Sequence, residues 1–224
     1  MISIKKFTFN PFQENSYILY DETKECVIID PGCYSPTEKS TLLNFISDND
    51  LKPVKLLNTH CHVDHIQGNH IVSKTFNLQL EAHEKEIPVL EGSPAWGLQY
   101  GITGDISPEI TVFLDEGDKI IFGNSTLDIM FVPGHSPGHI AFVSHKEKFI
   151  INGDVLFQGS FGRFDLPFGD AYVLSKSIQK KIFSLPDDYI VYAGHMGETT
   201  IGAERNTNPI LQYPTTKPQE NGQI

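Results

Sequence analysis

His60-Cys61-His62-Val63-Asp64-His65 follows directly on Val54-Lys55-Leu56-Leu57-Asn58-Thr59. The first stretch puts four metal-competent side chains into six residues; the second opens with a short apolar run. A nearly all-apolar run of that length reads as a strand covered on both faces. The histidine cluster then sits at the strand's end. Three imidazoles and a carboxylate crowded there cost stability unless something binds them, so the spacing points to a metal site rather than a solvated loop.

The same pattern of strand, glycine and donor returns three times. Phe131-Val132-Pro133-Gly134-His135, Ile150-Ile151-Asn152-Gly153-Asp154 and Val191-Tyr192-Ala193-Gly194-His195 each end an apolar run with a glycine and a His or Asp. Glycine permits tight turning and close backbone approach at such ends. Seven donors can then converge on one sheet edge: His60, His62, Asp64, His65, His135, Asp154 and His195. A single tetrahedral zinc takes only three or four. The set suits two divalent ions sharing Asp154, one held by His60, His62 and His135, the other by Asp64, His65 and His195. Paired ions bridged by a carboxylate and a hydroxide are a standard hydrolytic arrangement.

The rest of the chain predicts two sheets packed face to face with helices outside. Ile2–Phe9, Ser16–Tyr20 and Glu25–Asp30 read as strands, and Ser35-Pro36-Thr37-Glu38 opens a helix with proline and an acidic residue in its first turn. After the cluster, Ile66–Phe76 reads as a helix and Leu78–Ala82 as a strand. Thr111–Leu114, Lys119–Phe122, Thr126–Val132, Ile140–Ser144, Phe149–Asn152 and Tyr189–Ala193 read as further strands. Ala171–Phe183 is expected to be a helix and Arg205–Leu211 a short one. Gly92–Pro108, with Trp96 and Tyr100 among glycines and prolines, resists assignment to one element. It reads either as a substrate-facing flap or as a loop pinned by its aromatics. Residues 1–211 are expected to form one domain and 212–224 a mobile tail.

The 224 residues carry a formal net charge of −11, which argues against nucleic acid as a partner. No apolar run approaches the ~20 residues needed to span a bilayer, and Met1–Phe7 reads as a strand rather than a signal peptide. Three cysteines, Cys26, Cys33 and Cys61, form no C-x-x-C pair and suggest a reducing, cytoplasmic setting. Cys61 should point away from the side chains of His60 and His62 and be structural. His70, His83 and His145 lack the strand-glycine context and read as surface or packing residues.

These motifs resemble the metallo-β-lactamase superfamily, in its glyoxalase II-like branch. The likeness extends to Ile28-Ile29-Asp30-Pro31-Gly32, Gly134-His135-Ser136-Pro137-Gly138-His139, Gly153-Asp154-Val155-Leu156-Phe157, Gly162–Pro167 and Thr199–Pro209. It implies an α+β four-layer αβ/βα sandwich with the metal site at one sheet edge. It also implies hydrolysis of a small-molecule thioester by a metal-bridging hydroxide, as in short bacterial hydroxyacylglutathione hydrolases. Full-length glyoxalase II proteins add a C-terminal helical segment that supplies much of the glutathione pocket. Only about thirty residues follow His195 here.

Several roles stay open at this level. Asp64 is a ligand first and a proton acceptor only if its second oxygen is free. Asp30 is a candidate to orient a ligand histidine, or a turn residue. His139 either braces the site or is a satisfied structural histidine. Arg163 is placed to hold a substrate carboxylate or to pair with Asp165. The donors suit Zn, but also Fe or Mn. A mononuclear-iron persulfide dioxygenase, whose relatives share Thr59-His60-Cys61-His62, is the enzymatic alternative. A noncatalytic metal-binding or redox partner module is the alternative of another class.

Overall fold

The computed structural model describes residues 1–217. Two six-stranded sheets dominate it. The first is built from β1 (Ser3–Phe9), β2 (Glu14–Tyr20), β3 (Glu25–Ile29), β4 (Lys52–Leu57), β5 (Leu80–Ala82) and β6 (Ile110–Phe113), in that order. The second runs through β7 (Lys119–Phe122), β8 (Ser125–Phe131), β9 (Ile140–Ser144), β10 (Phe149–Gly153), β13 (Ile190–Ala193) and β14 (Thr199–Thr200). A short hairpin, β11 (Leu156–Phe157) with β12 (Ser160–Phe161), lies between β10 and β13 in the chain.

The period-2 alternation of the strands makes the layers. On β3, Val27 and Ile29 enter a core shared with Ile120, Leu127, Ile140 and Phe142 of the second sheet. Their neighbours Cys26 and Ile28 pack outward with Leu42, Ile46 and Val72. On β9, Ile140 and Phe142 face the first sheet, whereas Ala141 and Val143 pack outward with Leu174 and Ile178. Both sheets are therefore buried on two faces, with helices outermost on each side: the expected four-layer αβ/βα sandwich.

Helix α1 (Pro36–Asp48) starts where the sequence places it. Ser35 accepts from the Glu38 amide, and the Glu38 carboxylate accepts from the Ser35 amide, a reciprocal capping box. Helix α2 begins later than expected, at Asn69–Phe76, after a single 3₁₀ turn over Val63–His65. The expected helix at 171–183 is α4 (Ala171–Lys176) continued through a π-type turn at Ser177–Lys181 and a 3₁₀ turn at Ile182–Ser184. The last helix, α5 (Ile201–Thr207), starts four residues before its expected position because Thr200 caps it. A 3₁₀ turn, Pro209–Gln212, then follows Asn208.

The segment 92–108 is corrected in its first half. Residues 92–99 belong to α3 (Ile87–Gln99), despite the internal Pro94. Glycine and proline argue against a helix in isolation, but packing overrides them here. A Cβ at Gly97 would lie 3.1 Å from both the Val63 side chain and the Ile102 carbonyl, so glycine lets the helix sit this close without displacing either. Of the expected tail, Tyr213 packs against Phe161 and Phe164, whereas 218–224 lie outside the described residues. Among the described residues no helix is long and apolar enough to cross a membrane.

Candidate metal centre

The segments after β4, β8, β10 and β13 meet at one edge of the sandwich. Thr59 and Ile140 join the two sheets there through a 2.9 Å backbone bond, and the Gly194 amide donates to the Gly153 carbonyl at 2.8 Å. Gly153 takes φ +50°, and a Cβ on it would lie 2.3 Å from Thr59 Oγ1. Both the turn and the closeness require glycine.

All seven sequence-predicted donors come together. One ligand atom each from His60, His62 and His135 lies within 4.8 Å of the other two, and the same holds for Asp64, His65 and His195. Asp154 stands between the trios. Its Oδ1 is 3.4 Å from His65 Nε2, and its Oδ2 is 3.6 Å from His135 Nε2 and 3.4 Å from His195 Nε2. His60 Nε2, His65 Nε2 and Asp154 Oδ1 are buried with no hydrogen-bond partner. Orphaned buried polar atoms are costly. Three of them where the two trios meet fit cations that the donor set would hold.

The far side of each ring explains why those atoms are free. His135 Nδ1 donates to the Arg163 carbonyl at 2.7 Å, and His195 Nδ1 to the Phe12 carbonyl at 3.1 Å. A carbonyl can only accept, so each Nδ1 carries a proton and each Nε2 is the nitrogen turned toward the other donors. His65 Nδ1 donates to Asp30 Oδ2 at 3.1 Å. The Thr59 hydroxyl donates to Asp30 at 2.6 Å and lies 3.1 Å from His60 Nδ1, whose proton it can accept. His62 differs: its Nδ1 faces His135 Nε2 at 2.9 Å, as two nitrogens directed at one point do.

The trios differ in electrostatics. Burial, reinforced by neighbouring imidazoles, holds His60 well below the usual histidine range and His62 at about 3. These rings are neutral donors. Burial would lower His195 too, but Asp154 and Asp64 outweigh it and push that ring up to about 10. His65 is raised in the same way by Asp154 and Asp64. Burial opposes ionisation of Asp154, yet His195 and His65 hold its carboxyl well below the usual range.

The other candidates sort by contact. Asp30 accepts from Asn58 Nδ2, the Thr59 amide, the Thr59 hydroxyl and His65. A third trio of Asp30, His60 and His65 also falls within 4.8 Å, but those four donors fill the carboxylate. Asp30 therefore anchors His65, and it sits at φ +48° immediately after β3. His139 braces the site, but it is not a fully satisfied histidine, because among the described residues its buried Nδ1 has no hydrogen-bond partner. Its ring stacks on His60 at 4.6 Å and 19°, and its Nε2 accepts from the Asp154 amide. Arg163 clasps Asp165 through two bonds of 2.7 and 2.8 Å, although it still lines the cavity over the site. Cys61 is fully buried in the outer core, as expected. His83 stacks on Phe131, and His145 lies 2.8 Å from the Tyr189 hydroxyl.

Two buried carboxylates escaped the sequence reading. Glu14 lies with Oε1 3.8 Å from His65 Nδ1, behind the same ring that Asp30 holds. A glutamate opening a strand that is wholly buried up to Leu19 was visible only in the structure. Glu86 accepts from the Cys61 and Gly138 amides and from the Ser136 hydroxyl, tying the histidine motif to the segment around His135. Burial pushes its carboxyl up to about 7, against those hydrogen bonds.

The Metallo-beta-lactamase superfamily model matches residues 9–195, which span all seven donors. The chain belongs to the metallo-beta-lactamase superfamily. It is 36% identical to a Haemophilus influenzae protein named hydroxyacylglutathione hydrolase GloC, over 94% of this chain and 98% of that one. It is 32% identical to the mouse mitochondrial persulfide dioxygenase ETHE1, over 88% of this chain and 70% of that protein. Two solved structures share the fold closely. One is BLEG-1, titled a B3 metallo-beta-lactamase (TM-score 0.85, 37% identity, 93% of this chain and 99% of that one). The other is TTHA1623 in a di-iron-bound form (TM-score 0.83, 35% identity, 92% and 98%). At the level these matches reach, the protein is a metal-dependent hydrolase of the superfamily.

Proposed function

We propose that this protein is a dinuclear metallo-hydrolase of small thioesters, similar in activity to the hydroxyacylglutathione hydrolase named among its relatives. The observation that carries the reading is Asp154 standing between two donor trios, with Oδ1, His60 Nε2 and His65 Nε2 all buried and unpartnered. His60, His62 and His135 would hold one divalent ion and Asp64, His65 and His195 the other, with Asp154 shared. Zinc suits the donors best, and iron or manganese also suit them. When bound, the ions lower the pKa of water toward neutrality and polarise an acyl carbonyl.

The chain's own residues do the rest. The Arg163 and Phe12 carbonyls, Asp30 and Thr59 lock the tautomers of four histidines. Asp64 Oδ2 lies 3.2 Å from His195 Nε2. Burial would raise the Asp64 carboxyl, but His65 and His195 hold it below the usual carboxylate range; it is an ion ligand first and accepts a proton only through an oxygen that the ions leave free. A thiolate leaves readily, so the site needs no strong general acid. Buried free Cys26, Cys33 and Cys61 support a cytoplasmic setting, and residues 1–211 serve as one catalytic domain.

Metal analysis with a thioester panel tests the proposal. Two equivalents of metal per chain with thiol release are expected, and His62→Ala should abolish turnover while keeping the fold. One iron per chain with oxygen uptake on a persulfide would overturn it in favour of a dioxygenase. Stoichiometric metal with no turnover on either substrate would favour a noncatalytic module.

A further inference from the structure

The cavity above the metal-facing atoms has a volume of about 680 Å³, well within the size of small-molecule sites. Its walls are aromatic. Phe12, Trp96, Tyr100, Phe157 and Phe161 line it, with Phe12 and Tyr100 in edge contact at 5.6 Å. Its mouth is apolar and open to water: Tyr100 is 57% exposed and Met196 60%. Phe168, 54% exposed, adds to this rim 6.5 Å from Trp96. Exposed apolar surface gathered at one place marks a binding site for apolar groups.

The charges on the wall point the same way. Among the described residues Arg163 is its one lysine or arginine, and that guanidinium makes two hydrogen bonds to Asp165. The other fixed charges there are the metal-site carboxylates Asp64 and Asp154. A thiol such as glutathione, with two carboxylates and one ammonium, would find on this wall a single cation that is already paired with Asp165. An unpaired carboxylate against aromatic rings loses hydration without gaining a partner.

From this wall we infer that the site takes thioesters whose substituents are uncharged and apolar or aromatic, in preference to glutathione thioesters. The inference rests on the thioesterase reading above. The reaction is the ordinary hydrolysis: the water oxygen bonds to the acyl carbon, the C–S bond breaks with its electron pair on sulfur, and the protons leave with the thiol and the acid. The reacting carbonyl would face the ions that those donors hold, and the aromatic wall holds what flanks it.

Trp96 is the only tryptophan in the chain and lies on this wall, so its fluorescence reads occupancy without turnover. The test titrates metal-loaded protein with non-hydrolysable thioethers: S-benzyl-N-acetylcysteamine against S-benzylglutathione, and S-octyl- against S-methyl-N-acetylcysteamine. The neutral benzyl compound should bind at least tenfold tighter than its glutathione counterpart, and octyl at least tenfold tighter than methyl. Tyr100→Ala and Met196→Ala should each weaken octyl binding about fivefold and leave methyl binding unchanged. Equal or tighter binding of the glutathione compound, or no dependence on chain length, overturns the inference. If the neutral thioethers bind in the expected order while every thioester in the panel resists hydrolysis, the hydrolase reading falls and the apolar-ligand site stands.

Discussion

Gly194→Ala puts a single methyl group into the centre of the proposed ion pair. The added Cβ would lie 2.1 Å from Asp154 Oδ1 and 2.7 Å from His65 Cε1. Real carbon contacts of this kind do not fall below 3.0 Å, so the carboxylate oxygen must retreat by roughly 0.9 Å if the backbone holds. The backbone is pinned: the Gly194 amide donates to Gly153, and its carbonyl accepts from the Asn15 amide at 2.7 Å. Metal sites tolerate only about ±0.2 Å in ligand distance, so the shared carboxylate is lost from the pair. Overpacking of this kind costs about 1–3 kcal/mol, or a few degrees in Tm for each kcal/mol in a chain of this size. A displacement near 1 Å at reacting groups costs about 10²-fold in rate. The variant should therefore bind one equivalent of metal or fewer by elemental analysis and turn over about 10²-fold more slowly, with a folded circular dichroism spectrum. Gly197→Ala is the control, because its methyl meets only the Gln158 amide at 3.1 Å. Two tightly held equivalents and near-normal turnover in Gly194→Ala would refute the placement of Asp154 between the ions.

Asp30→Asn removes the charge behind His65 Nδ1 and should weaken metal retention about 10- to 100-fold, read by competition with a chelator. Arg163→Ala should leave metal content unchanged, because His135 is held by the Arg163 carbonyl and not by its side chain. At the far end of the sandwich, burial would raise the Asp21 carboxyl, but hydrogen bonds from Thr23, Ser125 and Asn124 outweigh it and hold it at about 2 against an ordinary 3.8. Its folded pKa is depressed, so its contribution of about 1–2 kcal/mol is present above pH 3.8 and lost as pH falls through 2. In urea titrations of metal-free protein, the gap between wild type and Asp21→Asn should close on going from pH 6 to pH 2; a constant gap would contradict this. Burial pushes the Cys26 and Cys33 thiols up to about 12, so native protein should resist a thiol-specific disulfide reagent, whereas urea-unfolded protein should react at all three cysteines.

How much of this was legible in the sequence depends on how locally each feature is encoded. Cys26 to Ile29 alternate between two cores over four residues, and that alternation is written in the strand itself. The seven donors were legible for the same reason. Four sit in one six-residue motif, and three follow a glycine at a strand end. Helix α3 was not legible, because Gly92, Pro94 and Gly97 argue against a helix locally. What stabilises it is distant: Gly97 lets the helix close on Val63 and Ile102, and the Ser93 hydroxyl lies 2.7 Å from the Cys61 carbonyl. The aromatic cavity wall was legible only in part: Trp96 and Tyr100 lie in the segment for which a substrate-facing flap was one of two readings, whereas Phe12 and Phe157 join them only through the fold.

The hardest features to read were the ones that set the chemistry of the donors. A histidine in a motif is a candidate ligand, but which nitrogen it offers depends on what its other nitrogen touches. For His135 and His195 that partner is a main-chain carbonyl, from Arg163 and Phe12. A carbonyl is present at every residue and leaves no mark on the sequence. For His65 the partners are side chains, Asp30 at 3.1 Å and Glu14 at 3.8 Å, yet they come from separate segments of the chain. Substitution should expose this division. His65 depends on the identity of residue 30, whereas His135 and His195 depend only on the path of the backbone through residues 163 and 12. Each proposed ion thus has one ligand held by a main-chain carbonyl, His135 or His195, and one held by a side chain, His60 through Thr59 or His65 through Asp30, and the side-chain-held ligands are the ones a single substitution can retune.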